Sequence, residues 1–387
     1  MHEAMELTAQ SLNAYGPSHR HWMVAWSGGK DSTATLLTVL HLIRAGLVAR
    51  PETLTVLYAD TRQELPPLAA AAERVMDYIS DCYPEVRIAR AMAPLDKRFL
   101  VYILGRGVPP PNNNTLRWCT RQIKVDPMAQ AIQQLVGGLH GSVLTITGVR
   151  QGESAMRDRR IEMSCGKDGA ECGQGWYQEV LPNSPGIRGR IATLAPLLHW
   201  RVCQVWDALV EAAAEGWPTG AIVEAYGADE EQEVHARTGC TGCPLASQDL
   251  ALDRIIARPR WGYLSPLKRL KPLYRRLRLP ENRLRKEGLE LRKDGTPAAN
   301  PQRMGPITLE ARRAALAEML SIQAECNQAR GSQPQVGILN AEEEARIREL
   351  IAMGQWPDGW TGEEPTADTP LDLVFRDGSV QPLLLRG

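Results

Sequence analysis

Residues 22–40, WMVAWSGGKDSTATLLTVL, decide the fold of this chain. The apolar run from Met23 to Trp26 predicts a buried parallel strand, and the stretch from Thr33 to Leu42 predicts a helix with few breakers. Between them, SGGKDS at 27–32 forms a glycine turn that leads directly into a helix N-terminus. A strand, a tight turn and a helix in this order indicate an α/β fold.

The turn at 27–32 has the chemistry of a phosphate-binding loop. Gly28 and Gly29 permit positive φ and a close approach of the backbone to a ligand. The free N–H groups and the dipole of the helix start attract an anion. Lys30 adds a point charge, and Ser27 and Ser32 add hydroxyl donors. The alternative is an ordinary turn without a ligand, and the spacing is not that of the longer G-x-x-x-x-G-K-[ST] loop.

Alternating strands and helices follow the loop and predict a doubly wound, mostly parallel sheet. Strands are expected at 53–58, 86–91 and 142–147, and a helix is expected around 68–79. Asp60 comes directly after the second strand, at the edge where open parallel sheets bind ligands. We expect Asp60 either to meet a nucleotide or a metal, or to cap the helix that starts near Leu65.

Length and composition bound the class of protein. The 387 residues allow one large α/β domain and a smaller appendage. The formal net charge is zero, no apolar run approaches the roughly 20 residues of a membrane span, and the N-terminus has no signal-peptide pattern. We therefore expect a cytoplasmic protein without membrane contact, in which the eight cysteines are core residues or metal ligands rather than disulfides.

Five regions are expected along the chain. They are an N-terminal arm at 1–21, a nucleotide domain with a cysteine metal site at 22–250, a basic segment at 251–300, a helical part at 301–355 and an acidic tail at 356–387. Residues 161–199 show little periodicity, and SCGKDGAECGQGW at 164–176 is expected to be a glycine-rich loop.

Two cation-rich segments are candidates for contact with phosphates. Cys119 lies in a proline- and asparagine-rich loop among Arg117, Arg121 and Lys124, which are expected to lower the pKa of its thiol or to bind phosphate.

The second segment is GVRQGESAMR at 148–157, which directly follows a predicted strand. Gly148 lets the chain turn, Arg150 and Arg157 are expected at the rim of the 27–32 loop, and Glu153 is expected to hold one arginine in place. A surface ion-pair cluster is the alternative reading.

Four cysteines have the number and type of ligands that an iron–sulfur cluster or a structural zinc requires. Cys240 and Cys243 form a C-x-x-C pair between glycines, so that two thiolates can reach one metal. Cys165 and Cys172 complete the four, and Cys119 is an alternate ligand. A redox-active C-x-x-C pair without metal is the alternative.

A strongly basic stretch follows the cysteine pair. Residues 254–293 contain 14 Lys or Arg against 3 Glu. Trp261, Tyr263 and Tyr274 are interleaved with the cations, which suits contact with a phosphate backbone together with base stacking. The alternative is a solvated helix face docked on acidic parts of the chain.

The motifs resemble, in the same order, those of a known family. The SGGKDS loop resembles the loop of the PP-loop ATP pyrophosphatases. The R-x-C-x-x-x-x-K-x-x-P pattern at 117–127 and G-x-R-x-x-E-S-x-x-R at 148–157 resemble the phosphoadenosine-phosphosulfate (PAPS) reductase branch. The stretches at 304–320 and 338–351 resemble the end of the sulfur-incorporation proteins of bacterial DNA phosphorothioation, the DndC and SspD group.

This resemblance implies an adenine nucleotide alpha hydrolase-like fold and an ATP pyrophosphatase that adenylates a target and enables sulfur incorporation, with DNA as the acceptor in antiviral defence. It implies ATP, Mg²⁺ and a [4Fe–4S] cluster as cofactors, with zinc as the alternative to the cluster. The implied partners are DNA, a cysteine desulfurase as sulfur donor and other subunits of the phosphorothioation system.

The resemblance also implies roles for individual residues. The catalytic residues are Lys30, Asp31, Arg150 and Arg157. The nucleotide-binding residues are Ser27, Gly28, Gly29, Lys30, Asp31, Ser32, Asp60, Lys124, Gly148 and Glu153.

Other functions stay open at this point. They are a sulfonucleotide reductase, a tRNA thiolase and a non-catalytic nucleotide-binding subunit, and RNA is not excluded as the acceptor. True PAPS reductases carry E-C-G-x-H, whereas Glu171-Cys172-Gly173 here is internal and lacks the histidine. This difference favours cluster binding for Cys172.

Overall fold

The computed structural model describes residues 2–113, 117–152, 158–159, 175–180, 190–226, 239–291, 294–298 and 300–383. The chain folds into two compact units, each assembled from separate stretches. The first unit comprises Met1–Met92, Lys124–Gly239 and Leu250–Arg258, and the second comprises Ala93–Ile123, Cys240–Asp249 and Pro259–Gly387.

The first unit is built on a six-stranded sheet. Its strands are β1 His21–Trp26, β2 Thr53–Ala59, β3 Val86–Ala91, β4 Val143–Thr147, β5 Trp176–Val180 and β6 Ile191–Ala195. The spatial order is β3-β2-β1-β4-β6-β5, and every pair is parallel except the edge pair of β5 with β6. This architecture confirms the predicted α/β fold with a mostly parallel sheet.

Strand β1 lies where the order of the strands reverses. The chain runs outward from β1 through β2 to β3, and it then places β4 on the other side of β1. Trp26 pairs with Tyr58 of β2, and Ala25 pairs with Thr147 of β4. The loops that follow β1 and β4 are therefore neighbours at the switch point, where open α/β sheets bind their ligands.

Seven described helices belong to this unit. They are α1 His2–Tyr15, α2 Lys30–Arg44, α3 Pro66–Cys82, α4 Asp126–Gly137, α5 Val202–Ala214, α6 Gly220–Tyr226 and α7 Leu250–Ile256. Val136 of α4 packs in a core cluster with Met23, Leu57 and Val143 of the sheet. The N-terminal arm is largely helical and is anchored, because Trp200 Nε1 donates to Thr8 Oγ1 at 2.9 Å.

Strands β5 and β6 lie within 161–199, the range in which the sequence shows little periodicity and predicts no strand. Each of these strands has only five residues, and β5 lies at the edge of the sheet. Such short segments give a weak periodic signal.

The second unit is largely helical, which confirms the predicted helical C-terminal part. It contains α8 Leu270–Arg276, α9 Leu309–Ala329, α10 Ala341–Ala352, a 3₁₀ segment Pro259–Arg269 and a π-helical turn Val101–Gly105. Two small sheets accompany them, β7 Arg283–Arg285 with β8 Met304–Ile307 and β9 Leu373–Val374 with β10 Val380–Gln381. No helix among the described residues is long and apolar enough to cross a bilayer.

Local signals fix the ends of the two long C-terminal helices. Thr308 caps α9 by accepting from the Ala311 N–H at 3.2 Å. Asn340 and Glu343 form a capping box at α10, with bonds of 2.8 and 3.2 Å. Helix α9 also carries Arg312, which is fully buried and donates to the carbonyl oxygens of Gly105 and Gln355 at 2.9 Å.

Candidate functional site

The turn after β1 has the backbone geometry of a phosphate-binding loop. Gly28 has φ +71°, a backbone conformation that residues other than glycine rarely adopt. Gly29 is extended and is the N-cap of α2. The first helical bond runs from the Thr33 N–H to the Gly29 oxygen at 2.9 Å. The N–H groups before Thr33 have no intrahelical acceptor, so the helix start offers donors to an anion.

Two serines hold the shape of this turn. Ser32 Oγ accepts from the Ser27 N–H at 3.2 Å, lies 3.1 Å from Ser27 Oγ and donates to the Gly29 oxygen at 3.1 Å. Trp26 Nε1 donates to Thr33 Oγ1 at 3.0 Å, which joins the end of β1 to the first turn of α2. The strand, the turn and the helix thus form one braced element.

Asp31 is the centre of a buried charge cluster at the helix start. Its Oδ2 lies 2.7 Å from Lys30 Nζ, and its Oδ1 accepts from Arg150 Nε at 2.6 Å. The three side chains are 14, 9 and 6% exposed for Asp31, Lys30 and Arg150. Two cations and one carboxylate leave one positive charge, which suits a site for phosphate.

Arg150 is held so that part of its guanidinium stays available. Its Nη1 donates to the Trp200 carbonyl oxygen at 3.1 Å, while Nε is bound to Asp31. Within the described part of the chain, no partner is recorded for Nη2. Lys30 Nζ donates to Asp31 Oδ2 at 2.7 Å.

Gly148 brings the end of β4 against this cluster. A Cβ at this position would lie 2.8 Å from the Ser32 Cα and N atoms and 2.9 Å from the Asp31 carbonyl carbon. Contacts this short with backbone atoms exclude any other residue without a shift of the loop. Gly148 is therefore required for the close packing that puts Arg150 within reach of Asp31.

The loop after β2 forms the neighbouring part of the same rim. Asp60 Oδ1 accepts from the Arg62 N–H at 3.0 Å, and Arg90 lies 3.8 Å from its other oxygen. The N-cap of α3 is Leu65, so the prediction that Asp60 caps this helix is wrong. Arg62 has φ 61° and is the single non-glycine residue with positive φ among those described. Strained backbone conformations of this kind cluster at functional sites.

Glu64 is a residue of this rim that the sequence analysis missed. Its carboxylate accepts from Thr61 Oγ1 at 2.6 Å and from the Gln63 N–H at 3.1 Å. Burial raises the pKa of Glu64, although the bonds from Thr61 act against this effect. The available signal was the Thr-x-x-Glu spacing at 61–64, which is that of a capping box.

The charge cluster makes a prediction for acid stability. Burial raises the pKa of Asp31, but the charges and hydrogen bonds of Lys30 and Arg150 together lower it by more. The pKa of Asp31 therefore lies below its ordinary value. A lowered folded-state pKa stabilises the protein above the unfolded pKa of about 3.9, and this contribution is lost as the pH falls through the folded value. We expect Asp31→Asn to lower the free energy of unfolding at pH 7 and pH 5, and the difference from the natural protein to shrink below about pH 4. Urea unfolding at pH 7, 5 and 3.5 measures this, and a difference independent of pH would contradict it.

Comparison with known proteins identifies the family of the first unit. Residues 21–218, about half of the chain, match the phosphoadenosine phosphosulfate reductase domain. The chain belongs to this family. The matched PAPS reductase domain contains the 27–32 loop, Asp60, Gly148 and Arg150, and it supports a nucleotide-binding enzyme of the PP-loop type.

Individual relatives are distant. An uncharacterized protein of Methanocaldococcus jannaschii is 25% identical over 232 residues, which are 60% of this chain and 38% of that protein. The chain thus matches well under half the length of this relative. Two solved structures are similar at a TM-score of 0.32. They are a PAPS reductase of Candida auris in a phosphate complex (15% identity, 53% of this chain and 79% of that one) and an FMN adenylyltransferase of Candida glabrata with FMN and the ATP analogue AMPCPP (14% identity, 54% and 56%).

The C-x-x-C pair lies outside the matched PAPS reductase domain, in the second unit. The pKa of Cys243 is lowered to about 6, chiefly by a hydrogen bond from the Cys240 thiol, with help from the N–H groups of Leu245 and Ala246. Thiolates are the form that binds metals. The pair therefore has the donor chemistry of half a metal site.

Cys119 belongs to the same unit and lies near this pair. Burial raises the pKa of Cys119, and the charge of Cys243 raises it further. The prediction that neighbouring cations lower this pKa is therefore wrong, because burial dominates. Arg117 and Lys124 are exposed.

Several predicted site residues lie outside the described residues. They are Glu153, Arg157, Cys165 and Cys172. In the described ranges, no three His, Cys, Asp or Glu side chains are grouped so that they could hold a metal ion.

The basic segment does not present its aromatic residues for base stacking. Trp261 and Tyr274 are 1% exposed, and Tyr263 is 8% exposed. The stacking expectation is wrong, because these rings form the core of the second unit. Four regularly spaced leucines of the segment are buried as well, Leu267, Leu270, Leu273 and Leu277.

Proposed function

We propose that the chain is an ATP pyrophosphatase that adenylates a target for sulfur incorporation, with the DNA backbone as the acceptor. The observation that carries the proposal is the cluster in which Asp31 binds both Lys30 and Arg150 at the start of α2. This cluster lies at the switch point of the sheet, within the matched PAPS reductase domain. A buried site with one excess positive charge beside a helix N-terminus suits a triphosphate.

The chain's residues act on the phosphoanhydride bond between the α- and β-phosphates of ATP. An oxygen of the target attacks the α-phosphorus of ATP, the bond to the β-phosphate oxygen breaks, and pyrophosphate leaves. Lys30 and Arg150, together with Arg157, stabilise the charge that develops on the leaving oxygens. Asp31 positions both cations, and Asp60, Lys124 and Glu153 contribute to the nucleotide pocket. Mg²⁺, when bound with ATP, screens the phosphates.

Sulfur then replaces the adenylate on the target. The terminal sulfur of a cysteine desulfurase persulfide attacks the adenylated phosphorus, and AMP leaves. A thiol then attacks the sulfur–sulfur bond and supplies the two electrons, so that a phosphorothioate remains in the DNA and the two cysteine sulfurs leave as a disulfide. The likeness of residues 304–320 and 338–351 to the DndC and SspD group supports this acceptor and a role in antiviral defence with other subunits of that system.

The cysteines of the second unit fit part of a metal centre. Cys240 and Cys243 offer a thiolate pair with N–H donors to the sulfur, which is the local environment of cluster ligands. Cys165 and Cys172 are the proposed further ligands, with Cys119 as the alternate. A [4Fe–4S] cluster, or zinc in its place, would bind a sulfur species or a thiolate at this position.

Substitutions in the loop test the proposal. Lys30→Ala and Asp31→Ala are each expected to lower pyrophosphate release by about 100-fold, because each removes part of the charge arrangement around the phosphates. Pyrophosphate is measured in the presence of DNA and a desulfurase. Arg74→Ala is the matched control, since Arg74 is an exposed cation on α3. Unchanged turnover in both loop variants would remove the assignment.

One observation favours a second candidate, a reductase that acts on a free sulfonucleotide. Cys119 lies near Cys243, and the sulfonucleotide-reductase arrangement pairs these two segments. This reading predicts sulfite release from a sulfonucleotide with thioredoxin and without DNA. Absence of sulfite under anaerobic conditions would rule out the reductase.

A further inference from the structure

Two sets of cations in the basic segment differ in their partners. In the first set, each cation is neutralised by a carboxylate. Arg269 lies 2.6 Å from Glu325, Arg276 pairs with Glu318, and the buried Lys271 lies 2.8 Å from Asp249. These residues hold the second unit together and add little to its external field.

The second set bonds only to neutral carbonyl groups. Arg275 Nη2 donates to the Ser247 oxygen at 3.2 Å, and Arg278 Nη2 donates to the oxygens of Pro244, at 3.3 Å, and Pro111. Among the residues that the structure describes, no carboxylate lies within ion-pair distance of Arg275 or Arg278. A carbonyl orients a guanidinium without cancelling its charge, so both charges remain.

These charges are close enough to repel one another. Burial lowers the pKa of Arg278, and the charge of Arg275 lowers it further. Burial, Arg278 and Arg303 lower the pKa of the neighbouring Arg283 to about 10. A row of like charges is unfavourable in the isolated protein, and binding of a polyanion relieves the repulsion.

The same two arginines fix the loop that carries the C-x-x-C pair. We call residues 240–249 the cysteine loop. Arg275 and Arg278 bind its carbonyl groups at Ser247 and Pro244, and Asn113 Nδ2 binds a third at Leu245 at 2.8 Å. Two unneutralised charges of the basic segment therefore lie at the cysteine loop. Arg283 and Arg285 also bind only carbonyl oxygens, but those of Met304, Gly305 and Thr369.

We propose that Arg275 and Arg278 form a phosphate-contacting surface that holds a nucleic-acid strand beside the cysteine loop. This inference rests on the proposed function, because it names the surface that holds the acceptor. Contact is through the phosphates, since the aromatic side chains of the segment are buried. Binding is accordingly independent of base sequence and sensitive to salt.

A pair of double variants with the same change in net charge tests the surface. Arg275→Gln with Arg278→Gln removes two unneutralised charges, whereas Arg269→Gln with Arg276→Gln removes two that carboxylates neutralise. Fluorescence anisotropy of the full chain is measured with labelled single-stranded and duplex 20-mers from 50 to 200 mM salt, without ATP.

The first double variant is expected to bind about 10-fold more weakly or worse at 100 mM salt. Its salt slope is expected to fall by about 1.4 on the single strand and about 1.8 on the duplex, for two lost phosphate contacts. The control is expected to stay within about twofold of the natural protein, because paired surface charges contribute little. Equal loss in both double variants, no loss in the first, or no binding by the natural protein would overturn the proposal.

Two further measurements separate binding from a loop-bracing role. Arg275→Lys with Arg278→Lys keeps the charges and is expected to restore most of the binding. Maleimide labelling of Cys240 and Cys243 reports the integrity of the cysteine loop. Altered labelling with unchanged nucleic-acid affinity would show that the arginines only brace the loop. Because the assay contains no ATP, loss of this surface and failure of the pyrophosphatase assignment are distinguishable.

Discussion

Arg150→Met is expected to lose ATP turnover and stability together. Arg150 is 6% exposed and binds Asp31 at 2.6 Å, so its removal leaves a buried carboxylate with Lys30 as its remaining cation in the cluster. Breaking a buried ion pair costs about 3–5 kcal/mol. The cluster then has no excess positive charge, and turnover is expected to fall by about 100- to 1,000-fold. Urea unfolding and pyrophosphate release measure the two effects.

A double-mutant cycle ties this result to the pair and not to the arginine alone. Asp31→Asn added to Arg150→Met is expected to cost less stability than the sum of the single changes, by about 1 kcal/mol or more, because the residues are in direct contact. Arg190→Met is the matched control, since Arg190 binds the Gly141 carbonyl oxygen at 3.1 Å and has no part in the cluster. An Arg150→Met protein with normal turnover would contradict the proposed role.

Gly148→Ala is expected to have the second largest effect. The added methyl group would lie 2.8 Å from backbone atoms of Ser32, and the backbone can yield only if the start of α2 moves. Overpacking of this kind costs about 1–3 kcal/mol. Movement of the loop displaces its N–H donors as well, so ATP affinity is expected to fall by about 10-fold or more. Thermal unfolding and isothermal calorimetry with ATP measure the two quantities.

Gly137→Ala provides the control for this change. Gly137 is the last residue of α4, and no heavy atom lies within 4 Å of an added Cβ. It is expected to bind ATP like the natural protein and to be no less stable. Wild-type ATP affinity in Gly148→Ala would show that the close contact between the two loops does not shape the nucleotide site.

The parts of the fold that the sequence predicted are those with a local cause. The strand, turn and helix at 21–44 follow from an apolar run, a left-handed glycine and a helix free of breakers. The capping box at Asn340 and Glu343 is likewise a pattern within four residues. These signals do not depend on where the rest of the chain lies.

The parts that the sequence did not predict depend on tertiary partners. Lys30 reads as a free phosphate ligand, yet it binds Asp31, which in turn binds Arg150 from 119 positions along the chain. That contact exists because the strand order places β4 beside β1. Residues 93–123 belong to the second unit, although the stretches before and after them in the chain belong to the first.

The aromatic residues of the basic segment show the same limitation. Trp261 and Tyr274 alternate with cations in the sequence, but they are buried in the second unit. A count of 14 cations in 254–293 likewise does not reveal which ones carboxylates neutralise. Arg276 and Arg278 are two residues apart, and only the structure separates their roles.

The products of ATP turnover test the central claim most directly. ATP labelled at the α- or the γ-phosphorus is incubated with the full chain, DNA and a persulfide-loaded cysteine desulfurase, and the labelled products are separated. The account predicts AMP or an adenylated acceptor from the α-label and intact pyrophosphate from the γ-label. Formation of ADP and inorganic phosphate, or failure of the protein to bind ATP at all, would contradict it.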